Sequence, residues 1–512
     1  MIRVGIDVGG TNTDAALLDG FEVKRTIKTP TTEDVTSGVL EALRSLFDGI
    51  SPAVDAVMIG TTHFTNAIVQ RRELAEVAII RLGAPATLAI PPMTAWSQDL
   101  QDCIGEHVFF AKGGNEFDGR PISAFDPAEI SSIAHQISAR GLTNVAITSV
   151  FSPINYDLEE QAGKIIAEHV PNVKITLSHT IGRVGFLERE NATILNASLQ
   201  PLGKKIAHAF KDALEQAGID APFFLTQNDG TLMDAARAEN FPILTVASGP
   251  TNSMRGAAFL SKLKEAVVVD IGGTTTDVGA LVQGFPRQAG VAVEVGGVRT
   301  NFRMPDVYSI GLGGGSLVKG NEIGPQSVGF KLGTEALVFG GNTLTTTDIA
   351  VAAGLAQIGD PSRVSALEPG MVEATVNAIQ AKILAAVDRV RLTASPIPVI
   401  LVGGGVVLVR GNVGDLETIR PDHFAAANAV GAAIAQVSGE LEKVYLFEQI
   451  SREAALQEAT EEAKKRAVEA GASPDSLEVV EIEDVPLSYL PGNATRIRVK
   501  VVGDLASIKR GI

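Results

Sequence analysis

Residues 6–14 read IDVGGTNTD, and residues 269–277 read VDIGGTTTD. When Asp7 is aligned with Asp270, both stretches share a Gly-Gly-Thr turn and end on a second aspartate. Each copy follows an apolar run typical of a buried strand and precedes another such run. Because a repeated motif signals a repeated structural unit, the sequence predicts two similar lobes that face each other.

The residue types in this repeat suit a polyphosphate and its metal ion. Glycine has no Cβ, so the turn can approach an anion closely, and successive N–H groups form an anion-binding concavity. A carboxylate at a strand end holds hydrated Mg²⁺, usually through water, so we expect Asp7 and Asp270 to do this. Asp277 joins them as a candidate catalytic carboxylate. The residues expected to bind the phosphates are Gly9, Gly10, Thr11, Asn12, Gly272, Gly273, Thr274 and Thr275. For either copy alone, the plainer alternative is a glycine-rich hairpin without a ligand.

A third glycine motif lies further along the chain, where residues 397–407 read IPVILVGGGVV. A buried strand that ends in Gly403, Gly404 and Gly405 can lay its backbone flat against a purine or a ribose. The same pattern also forms a generic tight turn. The sequence contains no GxxxxGK[ST], HExxH or GxSxG motif, which excludes a P-loop nucleotide site.

Composition excludes several classes of protein. With 512 residues the chain is too long for one simple core, and its net charge of −16 argues against a nucleic-acid partner. The single cysteine, Cys103, excludes an intramolecular disulfide and fits a reducing compartment. The apolar runs are shorter than the roughly 20 residues of a membrane span, and the first residues lack the pattern of a signal peptide. We therefore expect a cytoplasmic protein with no membrane partner.

The alternation of strand and helix patterns predicts an α/β protein. We assign residues 1–265 to the first lobe, with a less regular insertion around residues 84–140, and residues 266–437 to the second lobe. Residues 438–512 differ in composition and predict a small C-terminal α+β unit of βαββ type. We expect that unit to be an assembly surface; a solubility appendage is the alternative.

This order of motifs resembles the actin-like ATPase superfamily of sugar kinases, Hsp70-type chaperones and acetate kinase. The resemblance implies a two-lobed actin-like ATPase fold with duplicated ribonuclease H-like lobes, and ATP and Mg²⁺ as cofactors. The resemblance also implies that the two repeats are the first and second phosphate loops, that LVGGG is the adenosine loop, and that AAANAVGAAIA is a helix that crosses between the lobes.

Further motifs resemble the A-type subunit of the hydantoinase/oxoprolinase family over about residues 2–437. In chain order they are GTTHFTNA (60–67), ERENATILNA (188–197), QNDG (227–230), SGP (248–250) and SIGLGGGS (309–316). The resemblance implies an ATP-dependent hydrolase that opens a hydantoin, 5-oxoproline or related lactam by phosphorylating its carbonyl oxygen. It also implies a B-type partner subunit, a homo-oligomer, or both. The residues it assigns to the substrate are Thr61, Thr62, His63 and Asn66, and Gly313 and Gly314 are assigned to the nucleotide cleft.

Two departures from the family pattern concern histidines. Many relatives read HGTTVATNA and DVHTIGAGGGS, whereas this chain has Ile59 and Tyr308 at the two histidine positions. We expect His63, together with Asp306, to bind any additional divalent metal; a structural histidine at a helix start is the alternative. Two other functions remain open at this point: a small-molecule kinase, and an ATPase that activates or remodels a partner protein.

Overall fold

The computed structural model describes residues 1–31, 34–50, 52–289, 293–302, 304–320, 322–391, 396–487 and 492–506. Among the described residues, no helix combines the length and the apolar character that crossing a membrane requires.

The described residues before position 262 form ten strands and eight α-helices. The strands are β1 (Ile2–Val8), β2 (Asn12–Asp19), β3 (Glu22–Pro30), β4 (Ala56–Thr61), β5 (Ala78–Ala84), β6 (Val108–Lys112), β7 (Asn144–Ser149), β8 (Lys174–Leu177), β9 (Phe223–Thr226) and β10 (Thr231–Asp234). The helices are α1 (Val35–Leu46), α2 (His63–Gln70), α3 (Gln98–Ile104), α4 (Pro127–Ala139), α5 (Asp157–His169), α6 (Phe186–Gln216), α7 (Ala235–Asn240) and α8 (Ser248–Ser261).

The first sheet places two sequence motifs side by side. Strands β1 and β2 form an antiparallel hairpin in which Asp7 lies opposite Asp14. Strand β4 runs parallel to β1, with Gly60 opposite Asp7 and Thr61 opposite Val8. The first Gly-Gly-Thr turn and the start of GTTHFTNA therefore lie at the same edge of the sheet.

The insertion is larger and more regular than we expected. Strands β5 to β8 form a separate parallel sheet in the order β6-β5-β7-β8, so the inserted unit extends beyond residues 84–140. Alternate residues of β5 face different cores: Ile79 joins the core that contains α6, and Ile80 joins the core that contains α4 and α5. The adjacent prolines Pro91 and Pro92 and the adjacent glycines Gly113 and Gly114 lie in the connections between these elements.

The second lobe repeats the hairpin of the first. Its strands are β11 (Ala266–Ile271), β12 (Thr276–Val282), β13 (Phe285–Pro286), β14 (Val293–Val295), β15 (Val298–Thr300), β16 (Val307–Ile310), β17 (Ser316–Lys319), β18 (Glu322–Ser327), β19 (Val399–Val402) and β20 (Thr418–Ile419). Its helices are α9 (Leu332–Glu335), α10 (Thr346–Ala352), α11 (Pro369–Val390) and α12 (Ala427–Ala433). Asp270 lies opposite Asp277 in the antiparallel pair β11–β12, and β19 runs parallel to β11 as β4 does to β1.

The last part of the chain has the predicted order of elements but is not a separate unit. It consists of β21 (Gln436–Leu446), α13 (Arg452–Glu469), β22 (Glu478–Pro486) and β23 (Ala494–Gly503). Strand β21 pairs with β10, so these strands extend the first sheet to nine in the order β22-β23-β21-β10-β9-β4-β1-β2-β3. They share one apolar core with Met58 of β4, and the buried Lys500 forms an ion pair of 2.7 Å with Asp229.

Helices α8 and α12 pack with their backbones in contact. A Cβ atom at Gly431 of α12 would lie 1.8 Å from the carbonyl oxygen of Asn252, and one at Gly256 of α8 would lie 1.9 Å from that of Ala427. A Cβ at Gly5 of β1 would lie 1.9 Å from the carbonyl oxygen of Ala429. No side chain fits at these distances, so the glycines set how closely the two helices and β1 approach.

We expect the Gly431→Ala substitution to destabilise the protein by at least about 2 kcal/mol, because the added methyl must push two backbones apart. The matched control is Gly333→Ala, since a Cβ there meets no atom within 4 Å. Urea unfolding of the three proteins measures the difference. Equal stability of the two variants would contradict the packing described here.

Candidate nucleotide site

The two Gly-Gly-Thr turns have the same local structure and meet each other. The N–H of Gly9 donates to the carbonyl of Asn12 at 3.1 Å, and the N–H of Gly272 donates to that of Thr275 at 2.9 Å. A Cβ at Gly273 would lie 3.5 Å from the methyl carbon of Thr11. The structure therefore brings together the two loops that the sequence repeat singled out.

The GGGS motif packs directly on the second turn. The N–H groups of Gly314 and Gly315 donate to the carbonyls of Gly272 and Gly273 at 3.0 and 2.7 Å. A Cβ at Gly313 would lie 2.5 Å from the backbone nitrogen of Thr274. These glycines thus fix the shape of the second turn.

The predicted adenosine loop lies against the same turn. A Cβ at Gly403 would lie 2.3 Å from Oδ1 of Asp270, and one at Gly405 would lie 3.1 Å from the carbonyl of Gly272. A Cβ at Gly404 would meet no atom within 4 Å, so the middle glycine faces open space. The three glycine motifs of the second lobe converge on Asp270.

The aspartates at the strand ends lie close to one another; Asp7 and Asp14 are buried, and Asp270 and Asp277 are half-buried. Burial, together with the negative charges of Asp277 and Asp7, raises the pKa of Asp270 to about 7, although the nearby hydroxyl of Ser253 and the positive charge of Lys28 act in the opposite direction. Burial also raises the pKa of Asp277, and the hydroxyl of Ser309 donates to this carboxylate. The site therefore concentrates negative charge that a cation would stabilise.

The first lobe holds the equivalent pair. Burial raises the pKa of Asp7, which is 3% exposed, and a hydrogen bond from Asn428 and the nearby amide of Asn252 partly offset the increase. Burial raises the pKa of Asp14 to about 6 although it forms an ion pair with Lys28. Lys28 thus forms an ion pair with Asp14, and its positive charge also favours the ionised forms of Asp7 and Asp270.

These residues fit a hydrated magnesium ion better than a directly ligated one. Oδ1 of Asp7 is buried and has no hydrogen-bond partner among the residues that the structure describes. Across the same residues, no three His, Cys, Asp or Glu side chains come close enough to hold a metal ion directly. Contacts from Asp7 and Asp270 through water molecules agree with both observations.

The predicted substrate residues lie beside the first turn. Thr61 ends β4, and its hydroxyl forms a hydrogen bond of 2.5 Å with Nδ1 of His63, the first residue of α2. The hydroxyl of Thr62 donates to the carbonyl of Val8 at 3.3 Å and accepts from the Asn66 amide at 3.4 Å. Burial lowers the pKa of His63, which keeps the imidazole neutral near pH 7. The four side chains thus form one group at the carboxyl end of β4.

The pairing of His63 with Asp306 as metal ligands does not suit the geometry. Asp306 accepts two hydrogen bonds from Arg287, at 3.0 and 2.6 Å, and the guanidinium of Arg389 lies 4.4 Å from the ring centre of Tyr308. Two positive groups beside these positions oppose the approach of a metal cation. The position of His63 at the start of α2 agrees with the structural role that we kept as the alternative.

Sequence reasoning missed three polar residues that lie near the strand-end carboxylates. Asn428 of α12 donates to Oδ2 of Asp7 at 3.2 Å, and Asn252 and Ser253 of α8 lie beside Asp7 and Asp270. Asn252 and Ser253 follow the SGP motif, and Asn428 lies inside the small-residue helix that we assigned to the crossing between lobes. In the sequence, these residues stand out only as polar positions in two helices that are otherwise rich in small residues.

A separate cavity of about 850 Å³ lies outside this site. It separates the inserted unit from the last strands, and its lining includes Tyr156, His179, Arg183, Asn228, Glu442 and Arg496. None of the residues that we predicted to bind nucleotide, metal or substrate lines it.

Comparison with solved structures identifies the class of fold. The crystal structure of ATP-dependent caprolactamase from Pseudomonas jessenii matches 98% of this chain and 88% of that chain, with a TM-score of 0.80 and 19% sequence identity. At that identity the similarity shows the fold. The chain has the actin-like ATPase type of fold, which confirms the prediction.

Sequence comparison identifies the family. The family described as Hydantoinase/oxoprolinase N-terminal region matches residues 3–170, and the family described as Hydantoinase/oxoprolinase matches residues 189–390. These matches together span most of the chain, which therefore belongs to the hydantoinase/oxoprolinase family. The resemblance predicted from the motifs is confirmed.

Curated relatives show how far the similarity extends. The acetophenone carboxylase gamma subunit of Aromatoleum aromaticum is 28% identical over 397 residues, covering 69% of this chain and 53% of the relative. Caprolactamase subunit alpha of Pseudomonas jessenii is 25% identical over 424 residues, covering 74% of this chain and 58% of the relative. The matched part of this chain thus spans just over half the length of these relatives.

The raised pKa of Asp270 predicts a dependence of stability on pH. Its value of about 7 lies above the ordinary value of 3.8, so between these values the folded protein holds a proton that the unfolded chain has released. The stability that this proton contributes is present below about pH 4 and is lost as the pH rises towards 7. In Mg²⁺-free buffer, the free energy of unfolding of the wild type should decrease with rising pH faster than that of Asp270→Asn. The two slopes should differ by up to about 1.4 kcal/mol per pH unit.

Urea unfolding of both proteins at several pH values between about 4.5 and 7 measures this difference. Parallel stability curves for the two proteins would show that the carboxyl of Asp270 is not protonated in the folded state.

Proposed function

We propose that this chain binds one Mg·ATP between its lobes and uses it to phosphorylate the carbonyl oxygen of a cyclic amide or imide, which leads to ring opening by water. One observation carries the proposal: the duplicated Gly-Gly-Thr turns meet at Thr11 and Gly273, with the buried Asp7 and the half-buried Asp270 at the ends of the strands that precede the turns. The family membership and the names of the relatives support it.

The two turns would bind the phosphates. Their backbone N–H groups provide donors for the phosphate oxygens, and Gly313 and Gly314 fix the second turn so that these donors need no rearrangement. Asp7 and Asp270 would hold magnesium through water molecules. The ion supplies positive charge that stabilises the phosphates during transfer.

The group of side chains at the carboxyl end of β4 would orient the substrate. Thr61 and Thr62 carry hydroxyls, Asn66 carries an amide, and the neutral imidazole of His63 exchanges hydrogen bonds without adding charge. Such groups match the N–H and C=O of a hydantoin, 5-oxoproline or lactam ring. The substrate carbonyl would then lie next to the turn between β1 and β2, where the γ-phosphate is expected.

The chemistry explains why ATP is needed. Five-membered cyclic amides open with little driving force, and phosphorylation converts the carbonyl oxygen into a leaving group. Water adds to the activated carbon, and the ring nitrogen leaves with a proton, which breaks the C–N bond and leaves an acyl phosphate. A second water then hydrolyses the acyl phosphate to the carboxylate and inorganic phosphate. We propose that a B-type subunit completes the site for this second stage, because two relatives carry subunit names, gamma and alpha.

A second candidate follows from the carboxylase relative, which is 28% identical. The same site could phosphorylate the oxygen of a ketone in its enol form and so prepare that substrate for carboxylation. In both candidates the nucleotide site is the same, and the γ-phosphoryl group is transferred to an oxygen of a carbonyl compound. They differ in whether water or bicarbonate is the co-substrate.

A screen of phosphate release tests the proposal and separates the candidates. Hydantoin, 5-oxoproline, caprolactam and an aryl ketone with bicarbonate are each supplied with Mg·ATP, with and without a B-type subunit. The proposal predicts phosphate release stimulated by a cyclic amide. Stimulation by the ketone and bicarbonate alone would support the second candidate, and a stable phosphorylated product would indicate a small-molecule kinase.

We expect Asp7→Asn and Asp270→Asn each to reduce ATP turnover by about 100-fold or more, because each variant removes charge that holds the metal ion. Asp415→Asn is the matched control, since this aspartate is exposed in the second lobe. Steady-state phosphate release measures turnover, and titration calorimetry measures Mg·ATP affinity. Full activity of both strand-end variants, or no Mg·ATP binding by the wild type at millimolar nucleotide, would contradict the proposed site.

A further inference from the structure

The cavity of about 850 Å³ lies at the carboxyl ends of strands in the inserted sheet. The four strands of that sheet run parallel in the order β6-β5-β7-β8. Segments that follow β7 and β8 form one wall of the cavity and include Tyr156 and His179. Open parallel sheets bind ligands in the crevice outside the carboxyl ends of their strands. The inserted unit therefore has a cavity where this type of sheet binds ligands.

A buried carboxylate holds the two segments of this wall together. Glu159 of α5 is fully buried, and it accepts from the N–H of Ser149 at 2.7 Å and from the N–H of His179 at 3.0 Å. Nδ1 of His179 forms a hydrogen bond of 2.7 Å with the same carboxylate. Tyr156 stacks on the imidazole, with the ring centres 4.8 Å apart. This wall is thus fixed without a ligand, which lowers the cost of binding one.

Arg183, in the same wall, has a fixed backbone. Its carbonyl accepts from Nη1 of Arg189 at 2.8 Å and from the amide of Asn301 at 3.2 Å, and its N–H donates to Oδ1 of Asn301 at 3.3 Å. A Cβ at Gly182 would lie 2.6 Å from Cγ of Arg189 and from Oδ1 of Asn301. The guanidinium therefore extends from a rigid support.

Glu442 of β21 faces Arg183 from the opposite wall. Nε of Arg183 lies 3.7 Å from Oε2 of Glu442, and the two side chains are 24% and 17% exposed. This distance is too long for a hydrogen bond. The other oxygen of Glu442 is buried and has no hydrogen-bond partner among the described residues. The two charges are therefore only partly compensated by each other.

The lining favours neither sign of charge. It contains five Arg and Lys side chains and five Asp and Glu side chains. Such a lining does not concentrate a polyphosphate, because that requires an excess of positive charge. The lining also includes half-buried apolar side chains, namely Ile154, Ile181, Val184 and Leu244. These features suit a small molecule that carries both charges and an apolar part.

We propose that this cavity binds an α-amino acid with an apolar side chain. The carboxylate of the ligand would pair with Arg183, and its ammonium group would pair with Glu442. Both charged groups of an α-amino acid are attached to one carbon, so they are close enough together to reach both members of a 3.7 Å pair. The side chain of the ligand would lie against the apolar part of the lining. This inference goes beyond the proposed function, since binding here requires neither ATP nor the strand-end aspartates.

Titration calorimetry of the full chain with L-leucine, without nucleotide, tests the proposal. We expect a dissociation constant below about 1 mM. Two analogues each lack one charge: 4-methylpentanoate has no ammonium group, and 3-methylbutylamine has no carboxylate. Each should bind at least about tenfold more weakly, because one buried charge of the protein then has no partner. No binding of L-leucine at about 10 mM, or equal binding of either analogue, would overturn the proposal.

Variants locate the binding site. Arg183→Met and Glu442→Gln should each weaken L-leucine binding at least about tenfold. The matched controls are Arg410→Met and Glu373→Gln, which remove the charges of an exposed ion pair in the second lobe and should leave the affinity unchanged. Thermal unfolding identifies variants that are not folded, and the comparison of ligand analogues needs no variant. Wild-type affinity in folded Arg183→Met and Glu442→Gln would show that L-leucine binds elsewhere.

A second titration separates this proposal from the proposed function. With saturating Mg·ATP present, the affinity for L-leucine should stay within about twofold, because the two sites share no residue. Displacement of L-leucine by Mg·ATP would place it in the nucleotide site and overturn the inference. If L-leucine binds as predicted and no cyclic amide stimulates phosphate release, the proposed function is wrong and this site stands. If a cyclic amide stimulates phosphate release and L-leucine does not bind, only this inference is wrong.

Discussion

The rest of the site depends on the removal of two carboxylates from water, Asp7 fully and Asp270 in part, at the ends of equivalent strands. Taking an ionised carboxylate out of water is costly unless hydrogen bonds or an opposite charge compensate it. The protein compensates in part: the amide of Asn428 donates a hydrogen bond to Asp7, and the charge of Lys28 favours the ionised forms of Asp7 and Asp270. What remains is negative charge at the base of two anion-binding turns. Such an arrangement suits a cation that travels with a polyphosphate.

Glycine is the second constraint, because it allows backbones to touch where side chains would not fit. Gly431 and Gly256 bring α8 and α12 together, and Gly5 brings α12 onto β1. Gly313 and Gly403 bring two further loops onto the second turn and Asp270. These contacts place elements that are far apart in sequence around the same two aspartates. Part of the high glycine content of the chain is therefore required in the site and in the helices behind it.

The duplicated hairpins could be predicted from the sequence because the signal is local and repeated: an apolar strand, a Gly-Gly-Thr turn and a second strand. The joining of β21 to β10 could not, since pairing between Thr231 and Gln436 leaves no local pattern. The inserted parallel sheet was hidden because its strands are short and its connections are rich in proline and glycine. Asn252, Ser253 and Asn428 were missed because their importance comes from the two aspartates near them, which lie in other segments. The same holds for Arg287 and Arg389, which occupy the surroundings of Asp306 and Tyr308.

The central claim is that one nucleotide binds between the two lobes, with its phosphates on both turns. A crystal structure of the chain with magnesium and a non-hydrolysable ATP analogue tests this most directly. The account predicts a single nucleotide whose phosphates contact the N–H groups around Gly10 and Gly273, whose base or ribose lies on Gly404, and whose metal reaches Asp7 and Asp270 through water. A nucleotide bound in the cavity between the inserted unit and the last strands, or phosphates that contact one turn and leave the other free, would contradict it.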